Sequence, residues 1–254
     1  MTLAGQDVPV LAWNEPDGLV PRGTVVVIPG RGELPAVYER FGRRLAGDAY
    51  RVRVVADPVL DAELARAQVS SLLADPGLPA PRVLAGSDTG ALFAIMLASS
   101  GLGAGVDALL VDALLLAGLP ARPEAGPAAS WEEELDARTS CPTHRGRLTA
   151  SAVRRGALYE PIPAGWLERA DLGGLGLPIL GIHGSDDPVS PLGQVRDRYA
   201  AAPSAELVRI TAGRHDVLND QTHRSVAAVV VLFLERIRQD SGPSPIAVPE
   251  RLGR

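Results

Sequence analysis

The chain has no lysine: all 25 of its basic residues are arginine. Schiff-base chemistry is therefore excluded, because it needs a primary amine on a side chain. The single cysteine, Cys141, has no partner for an internal disulfide and cannot form a cysteine-rich zinc site. No basic run is long, and the net charge is −5, which argues against nucleic acid as a partner. No apolar run is long enough to span a bilayer, and MTLAGQDVPV lacks the basic-then-apolar pattern of a signal peptide. A cytoplasmic protein without membrane association is expected. Neither a histidine pair nor a carboxylate cluster at helical spacing suggests a metal, and no cofactor is expected.

What is present is a globular composition. Hydrophobic residues make up 46% of 254 residues and charged residues 22%, enough for a large core in one α/β domain. Short aliphatic runs alternate with helical patterns. The spacing predicts strands at Thr24–Ile28, Arg51–Val55, Arg82–Ala85, Ala108–Ala117, Pro178–His183 and Glu206–Ile210. Helices are expected over Val37–Leu45, Asp61–Leu73, Ala91–Ser99 and Val226–Ile237. Such alternation implies a mostly parallel central sheet with helices on both faces. The rhythm breaks over 120–176, rich in Pro and Gly with mixed helical pieces such as Trp131–Arg138, which reads as a lid inserted in the core of 1–119 and 177–238. Residues 239–254 read as an extended or disordered tail.

Three ionisable residues fall just past the C-terminal ends of expected strands, where open α/β sheets place ligands. Asp88 sits in Val83-Leu84-Ala85-Gly86-Ser87-Asp88-Thr89-Gly90-Ala91, between two glycines at a strand-to-helix turn. Asp187 lies in Gly184-Ser185-Asp186-Asp187-Pro188-Val189-Ser190-Pro191, and His215 in Gly213-Arg214-His215-Asp216. Their order resembles that of the α/β-hydrolase fold superfamily over nearly the whole chain: nucleophile on a G-x-Nuc-x-G elbow, then acid, then histidine. The resemblance implies Asp88, Asp187 and His215 in those roles, with an aspartate where serine is usual, as in epoxide hydrolases and haloalkane dehalogenases. Ser87 fits the elbow less well, because its flanking positions would be Ala85 and Thr89. Pro29-Gly30-Arg31-Gly32-Glu33 with Tyr38 is similar to the H-G-x-G-E loop of monoacylglycerol-lipase-like members, with Pro29 in the histidine's place. That similarity implies an oxyanion hole from the amides of Arg31 and Thr89. Gly30, Ser87, Trp131 and Tyr159 are candidates for contact with a small-molecule substrate, and a homodimer is left open.

A carboxylate attacking an ester carbonyl would form a mixed anhydride and expel a poor alkoxide, so an ordinary esterase is disfavoured. Two routes remain. In one, Asp88 or His215 takes a proton and a carboxylate such as acetate is eliminated from an O-acylated small molecule, a lyase reaction fitting bacterial secondary metabolism. In the other, Asp88 attacks a saturated carbon, and water activated by His215 hydrolyses the alkyl-enzyme ester. The D-W elbow and H-G-x-P loop usual for the second route are absent, and only Tyr159 in the lid could protonate an epoxide. The ester-type loop favours elimination. A non-catalytic ligand-binding relative is the third reading. His183 reads as a hydrogen-bonded core residue, His223 as exposed, His144 and Arg145 as solvated lid residues, and Asp186 and Asp216 as loop or cap residues. Trp131 and Trp166 read either as lining a lid pocket or as packing residues.

Overall fold

The computed structural model describes residues 8–100, 111–123, 130–240 and 245–248. Its strands are β1 (Leu11–Trp13), β2 (Gly23–Ile28), β3 (Tyr50–Val54), β4 (Arg82–Ser87), β5 (Ala113–Ala117), β6 (Ile179–Gly184) and β7 (Ala205–Ile210). They form one sheet in the order β1-β3-β2-β4-β5-β6-β7, parallel throughout except for antiparallel β1 against β3. The three-residue β1, Leu-Ala-Trp with the alanine exposed, carries too little pattern to announce itself. Part of the strand expected from Ala108 lies outside the described residues, and Val111 and Asp112 precede β5 as irregular chain.

The helices are α1 (Glu39–Gly47), α2 (Ala62–Ala74), α3 (Thr89–Ser100), α4 (Trp131–Arg138), α5 (Pro142–Arg147), α6 (Trp166–Arg169), α7 (Leu192–Ala200) and α8 (His223–Arg238). The helix expected from Val37 begins as a 3-10 turn at Pro35–Tyr38, consistent with a proline at a first turn. Asp61 caps α2 by accepting from the Leu64 amide, and Ser130 with Glu133 forms a capping box on α4. Between β5 and β6, the described residues form short helices and turns, with one isolated bridge, Glu33 to Val153, reaching back to the core.

Because β2 and β4 to β6 are covered on both sides, their residues are buried without alternation, apart from Arg82 at the start of β4. Val26, Ile28, Leu84, Leu114 and Leu116 pack towards α2 and α3, while Val25, Val27, Val83, Ala85 and Leu115 pack towards α1 and α8. No helix among the described residues is long and apolar enough to cross a membrane.

The β4–α3 turn explains its two glycines. A Cβ on Gly86 would lie 2.3 Å from the Gly90 carbonyl oxygen, and one on Gly90 would lie 2.2 Å from that of Ile28. Helix α3 thus presses directly on β2 and β4. Gly90→Ala is expected to lower stability by about 1–3 kcal/mol, the usual range for overpacking. Gly146→Ala, where nothing lies within 4 Å of an added Cβ, serves as a near-neutral control. Urea unfolding of the two variants checks this.

Candidate functional site

Four loops converge past the C-terminal ends of β2, β4, β6 and β7. The β4–α3 turn raises Asp88 at φ 48, a left-handed conformation that aspartate tolerates better than most non-glycine residues. Its amide donates to the Ala117 carbonyl at 3.0 Å and its carbonyl accepts from the Ala91 amide at 2.9 Å. The side chain therefore has one direction open, towards the loop after β2 and the histidine loop after β7.

The structure brings Asp88, His215 and Asp187 together. His215 Nδ1 lies 2.8 Å from Asp187 Oδ2, and its Nε2 is 3.3 Å from Asp88 Oδ1, in ion-pair contact but poorly aligned for a hydrogen bond. Asp187 is fixed in turn: Oδ1 accepts from the amides of Val189 at 2.8 Å and Ser190 at 3.0 Å. His183 Nε2 stands 3.2 Å from Asp187 Oδ2 and 2.7 Å from the Ser190 carbonyl oxygen. His183 is thus the hydrogen-bonded core residue expected, and it also braces the acid.

The Arg31 side chain is the feature the sequence reading missed. Only its amide was expected at the site, and that amide does donate to Asp88 Oδ2 at 3.1 Å. The guanidinium forks onto the same carboxylate as well, with Nε to Oδ2 at 2.8 Å and Nη2 to Oδ1 at 2.9 Å. Its Nη1 donates to the Glu160 carbonyl at 2.6 Å. Arg31 is 1% exposed, Asp88 3% and His215 1%, so the pair is sealed from solvent. Thr89 Oγ1 lies 3.5 Å from Asp88 Oδ2. Gly30 permits the approach, since a Cβ there would meet Asp88 Cβ at 3.0 Å.

The remaining candidates lie further out. Ser87 is buried at the end of β4 and its side chain faces the Tyr38 hydroxyl rather than the imidazole. Trp131 is half-buried under the Arg155 guanidinium, which stands 5.0 Å from the ring centroid. Tyr159 packs with Leu158, Ala137 and Val189. No hydrogen bond joins Trp131 or Tyr159 to Asp88 or His215 among the described residues. Trp166 stacks on Phe93 of α3, with centroids 5.3 Å apart.

A second charged cluster locks the β5–β6 insertion onto the loop after β2. Arg138, at the end of α4 and 1% exposed, reaches Glu33 Oε1 at 3.2 Å, Glu134 Oε1 at 3.0 Å and Asp216 Oδ1 at 3.5 Å. It also donates to the Arg31 carbonyl at 3.2 Å. Glu33 accepts from the Tyr38 hydroxyl and, at 3.1 Å, from the Gly30 amide. His144 was expected at the surface; it is 2% exposed and pairs with Asp216 at 3.1 Å. Asp216 therefore orients this histidine, not its sequence neighbour His215. Arg145 fits its expectation better, pairing with exposed Glu132 and Asp136, while His223 is half-buried. Asp57, after β3, accepts from the Gly32 amide at 2.7 Å and so also holds the loop. Among the described residues, no group of three or more His, Cys, Asp or Glu side chains is arranged to hold a metal.

The protonation states follow from these contacts. Burial opposes the charge on Asp88, but the Arg31 guanidinium and His215 outweigh it and hold the carboxyl well below the usual range. Burial likewise opposes the charge on Asp187, and His215 and His183 overcome it, lowering its pKa. Burial disfavours a charged His215, yet Asp187 and then Asp88 push its pKa up to about 10. At neutral pH the site is the alternating chain Arg31⁺, Asp88⁻, His215⁺, Asp187⁻. Burial and the nearby Asp216 raise Glu33 to about 7 despite Arg138, and burial raises Asp57 to about 6.

A histidine with a raised folded pKa contributes stability that is complete below the unfolded value of 6.5 and is lost as pH rises towards about 10. Glu33 and Asp57, with raised pKa values of about 7 and 6, also cost stability as they ionise. The depressed Asp88 and Asp187 act oppositely, losing their contribution as pH falls below the usual carboxylate range. Stability should therefore fall from mildly acidic pH towards pH 10, and His215→Gln should flatten the upper part of that decline in a denaturant series. Arg31→Gln, which leaves Asp88 buried beside only the imidazolium, should cost about 3–5 kcal/mol by the same measurement.

No family model matches the chain, and no curated protein does. Solved structures do match. Paleococcus ferrophilus monoacylglycerol lipase has a TM-score of 0.72 at 15% identity, covering 91% of this chain and 100% of that one. A soluble variant of Saccharomyces cerevisiae monoglyceride lipase in complex with a substrate analog has a TM-score of 0.70 at 15% identity, covering 90% and 91%. An esterase from Exiguobacterium antarcticum has a TM-score of 0.61 at 16% identity, covering 89% and 94%. At such identities the likeness concerns the fold. The parallel sheet, the elbow after β4, and the ordered convergence of Asp88, Asp187 and His215 make this chain an α/β-hydrolase-fold protein.

Proposed function

We propose that this protein is an enzyme whose Asp88 attacks a saturated carbon, and whose His215 then activates water to hydrolyse the alkyl-enzyme ester. The observation that carries this reading is the position of Asp88 Oδ2. It lies 3.1 Å from the Arg31 amide, where an oxyanion would be held, while Oδ1 stands beside the imidazole and has to be released by Arg31 Nη2 before it attacks. After attack by Oδ1, Oδ2 becomes the ester carbonyl oxygen. Water adding to that carbonyl puts negative charge on Oδ2, already faced by the Arg31 amide and by Nε at 2.8 Å. Collapse releases the alcohol and restores the carboxylate, with one oxygen from water.

The charge logic supplies the base. His215 holds its proton because two carboxylates face it. Once Asp88 is an uncharged ester, one of them is gone, and the imidazole, now facing Asp187 alone, gives up its proton to solvent more readily and can then take one from water. Asp187 keeps it oriented through Nδ1.

Elimination fits this geometry less well. In the expected hole the Arg31 amide is already taken by the enzyme's own carboxylate oxygen, which a substrate ester would have to displace. Asp88, held well below the usual carboxylate range, is also a weak base. A non-catalytic role has one observation in its favour: both oxygens of Asp88 are engaged by Arg31. Entry of a substrate requires the insertion at 120–176, which we take as the lid, to lift the Glu160 carbonyl from Arg31.

Intact-mass analysis of His215→Gln with alkyl bromides and aryl epoxides tests the proposal. The variant should turn over about 10²–10⁴-fold more slowly and accumulate the alkyl group on Asp88. In heavy-oxygen water the wild type should carry label on Asp88 after repeated turnover. Turnover with unlabelled Asp88 and no solvent oxygen in the organic product would instead establish elimination. If Asp88→Asn and His215→Ala both leave the cellular role intact, the protein is a non-catalytic relative.

A further inference from the structure

Resting on the nucleophilic reading, we propose that His183 is a positioning residue that acts through Asp187: it shares the oxygen that holds His215, and so eases release of the His215 proton when the Asp88 ester is hydrolysed. Among the described residues, Asp187 faces four donors. Oδ1 accepts from the amides of Val189 at 2.8 Å and Ser190 at 3.0 Å, and these two bonds place the carboxylate. Oδ2 stands between two imidazoles, with His215 Nδ1 at 2.8 Å and His183 Nε2 at 3.2 Å.

The His183 ring has one tautomer to offer here. A carbonyl oxygen only accepts, so the ring hydrogen sits on Nε2, aimed at the Ser190 carbonyl 2.7 Å away, and Asp187 Oδ2 meets its flank. On the far side Nδ1 is buried with no hydrogen-bond partner among the described residues. A buried polar atom left unpaired costs stability that an aliphatic side chain would avoid. What His183 adds over such a side chain is therefore confined to its Nε2 edge, against Ser190 and the acid.

That edge matters at one step. In the resting site Asp187 and Asp88 together outweigh burial and keep His215 protonated. In the ester Asp187 does so alone. Hydrolysis needs the neutral ring. Ester, water and neutral His215 give the Asp88 carboxylate, the alcohol and protonated His215, one hydrogen of water ending on the alcohol and the other on the ring. The more strongly Asp187 accepts from Nδ1–H, the more firmly the ring keeps its proton. Against the opposing effect of burial, His215 and then His183 lower the Asp187 pKa, so His183 makes the acid a weaker acceptor. The Val189 and Ser190 amides act on the far oxygen, whereas His183 acts on the one that faces His215. Alkylation of Asp88 requires no such proton loss, so His183 bears on the second half of the reaction.

Proton NMR at neutral pH reads the His215 Nδ1–H resonance without any substrate. His183→Leu, and His183→Asn with an amide too short to reach the Nε2 position, should move it downfield, because an undivided Oδ2 accepts more strongly. His183→Gln, which restores an N–H near that position, should return it towards the wild type. A merely structural brace predicts the opposite, a slackened loop with a weaker bond and an upfield move. Intact-mass time courses with an alkyl bromide should show the ester forming on Asp88 within about twofold of the wild-type rate. Its hydrolysis should be about 3–10-fold slower in the Leu and Asn variants, and should need a higher pH. An unmoved or upfield resonance, no rescue by Gln, equal slowing of both steps, or failure of both donor-free variants to fold overturns the inference. A downfield resonance alongside an Asp88 that never carries the alkyl group would reject the nucleophile and keep the coupling of His183 to His215. An ester on Asp88 alongside an unmoved resonance would do the reverse.

Discussion

A carboxylate withdrawn from water must find a cation and hydrogen-bond donors, or it takes up a proton instead. Asp88 meets that requirement through one residue. Arg31 brings a main-chain amide and two guanidinium N–H groups to the same carboxylate, and the rest of the centre is organised around this pair. The elbow fixes where the carboxylate stands, through a left-handed backbone that the Ala117 carbonyl helps to hold. The imidazolium of His215 persists because Asp88 on one side and Asp187 on the other both favour it. Charges of alternating sign thus run from the loop after β2 to the loop after β6, each group stabilising its neighbour's ionised form.

The position of Arg31 is itself held from outside. Asp57 binds the Gly32 amide, Glu33 binds the Gly30 amide, and Arg138 binds the Arg31 carbonyl. Arg138 belongs to α4, so the insertion between β5 and β6 and the loop after β2 are fixed together by buried charge as well as by the Glu160 carbonyl on Arg31. Movement of the insertion and release of the Arg31 side chain are therefore mechanically linked. Any ligand that reaches Asp88 has to replace contacts on both sides of that link.

Much of this was legible in linear order because the relevant constraints are local. The all-apolar TVVVI of β2 and ALLLA of β5 can be satisfied only in a sheet covered on both faces. Gly86 and Gly90, four apart across a strand-to-helix change, announce a turn too crowded for side chains. A histidine after the last long strand and an aspartate after the one before it complete a recognisable order. The side-chain partners of Arg31, Arg138 and His144 left no such trace. Arg138 and Glu134 are one helical turn apart, a spacing that carries no sign of burial, yet both are buried because α4 lies against the loop after β2.

The sequence by itself determined the sheet, the elbow and the identity of the three groups meeting there, because strand periodicity and tight turns depend on neighbours a few residues apart. Only the tertiary structure decided the state of those groups. Arg31 and Asp88 are 57 positions apart and Asp88 and Asp187 nearly a hundred, and the protonation of each depends on the charges within a few ångströms, which folding alone brings into contact.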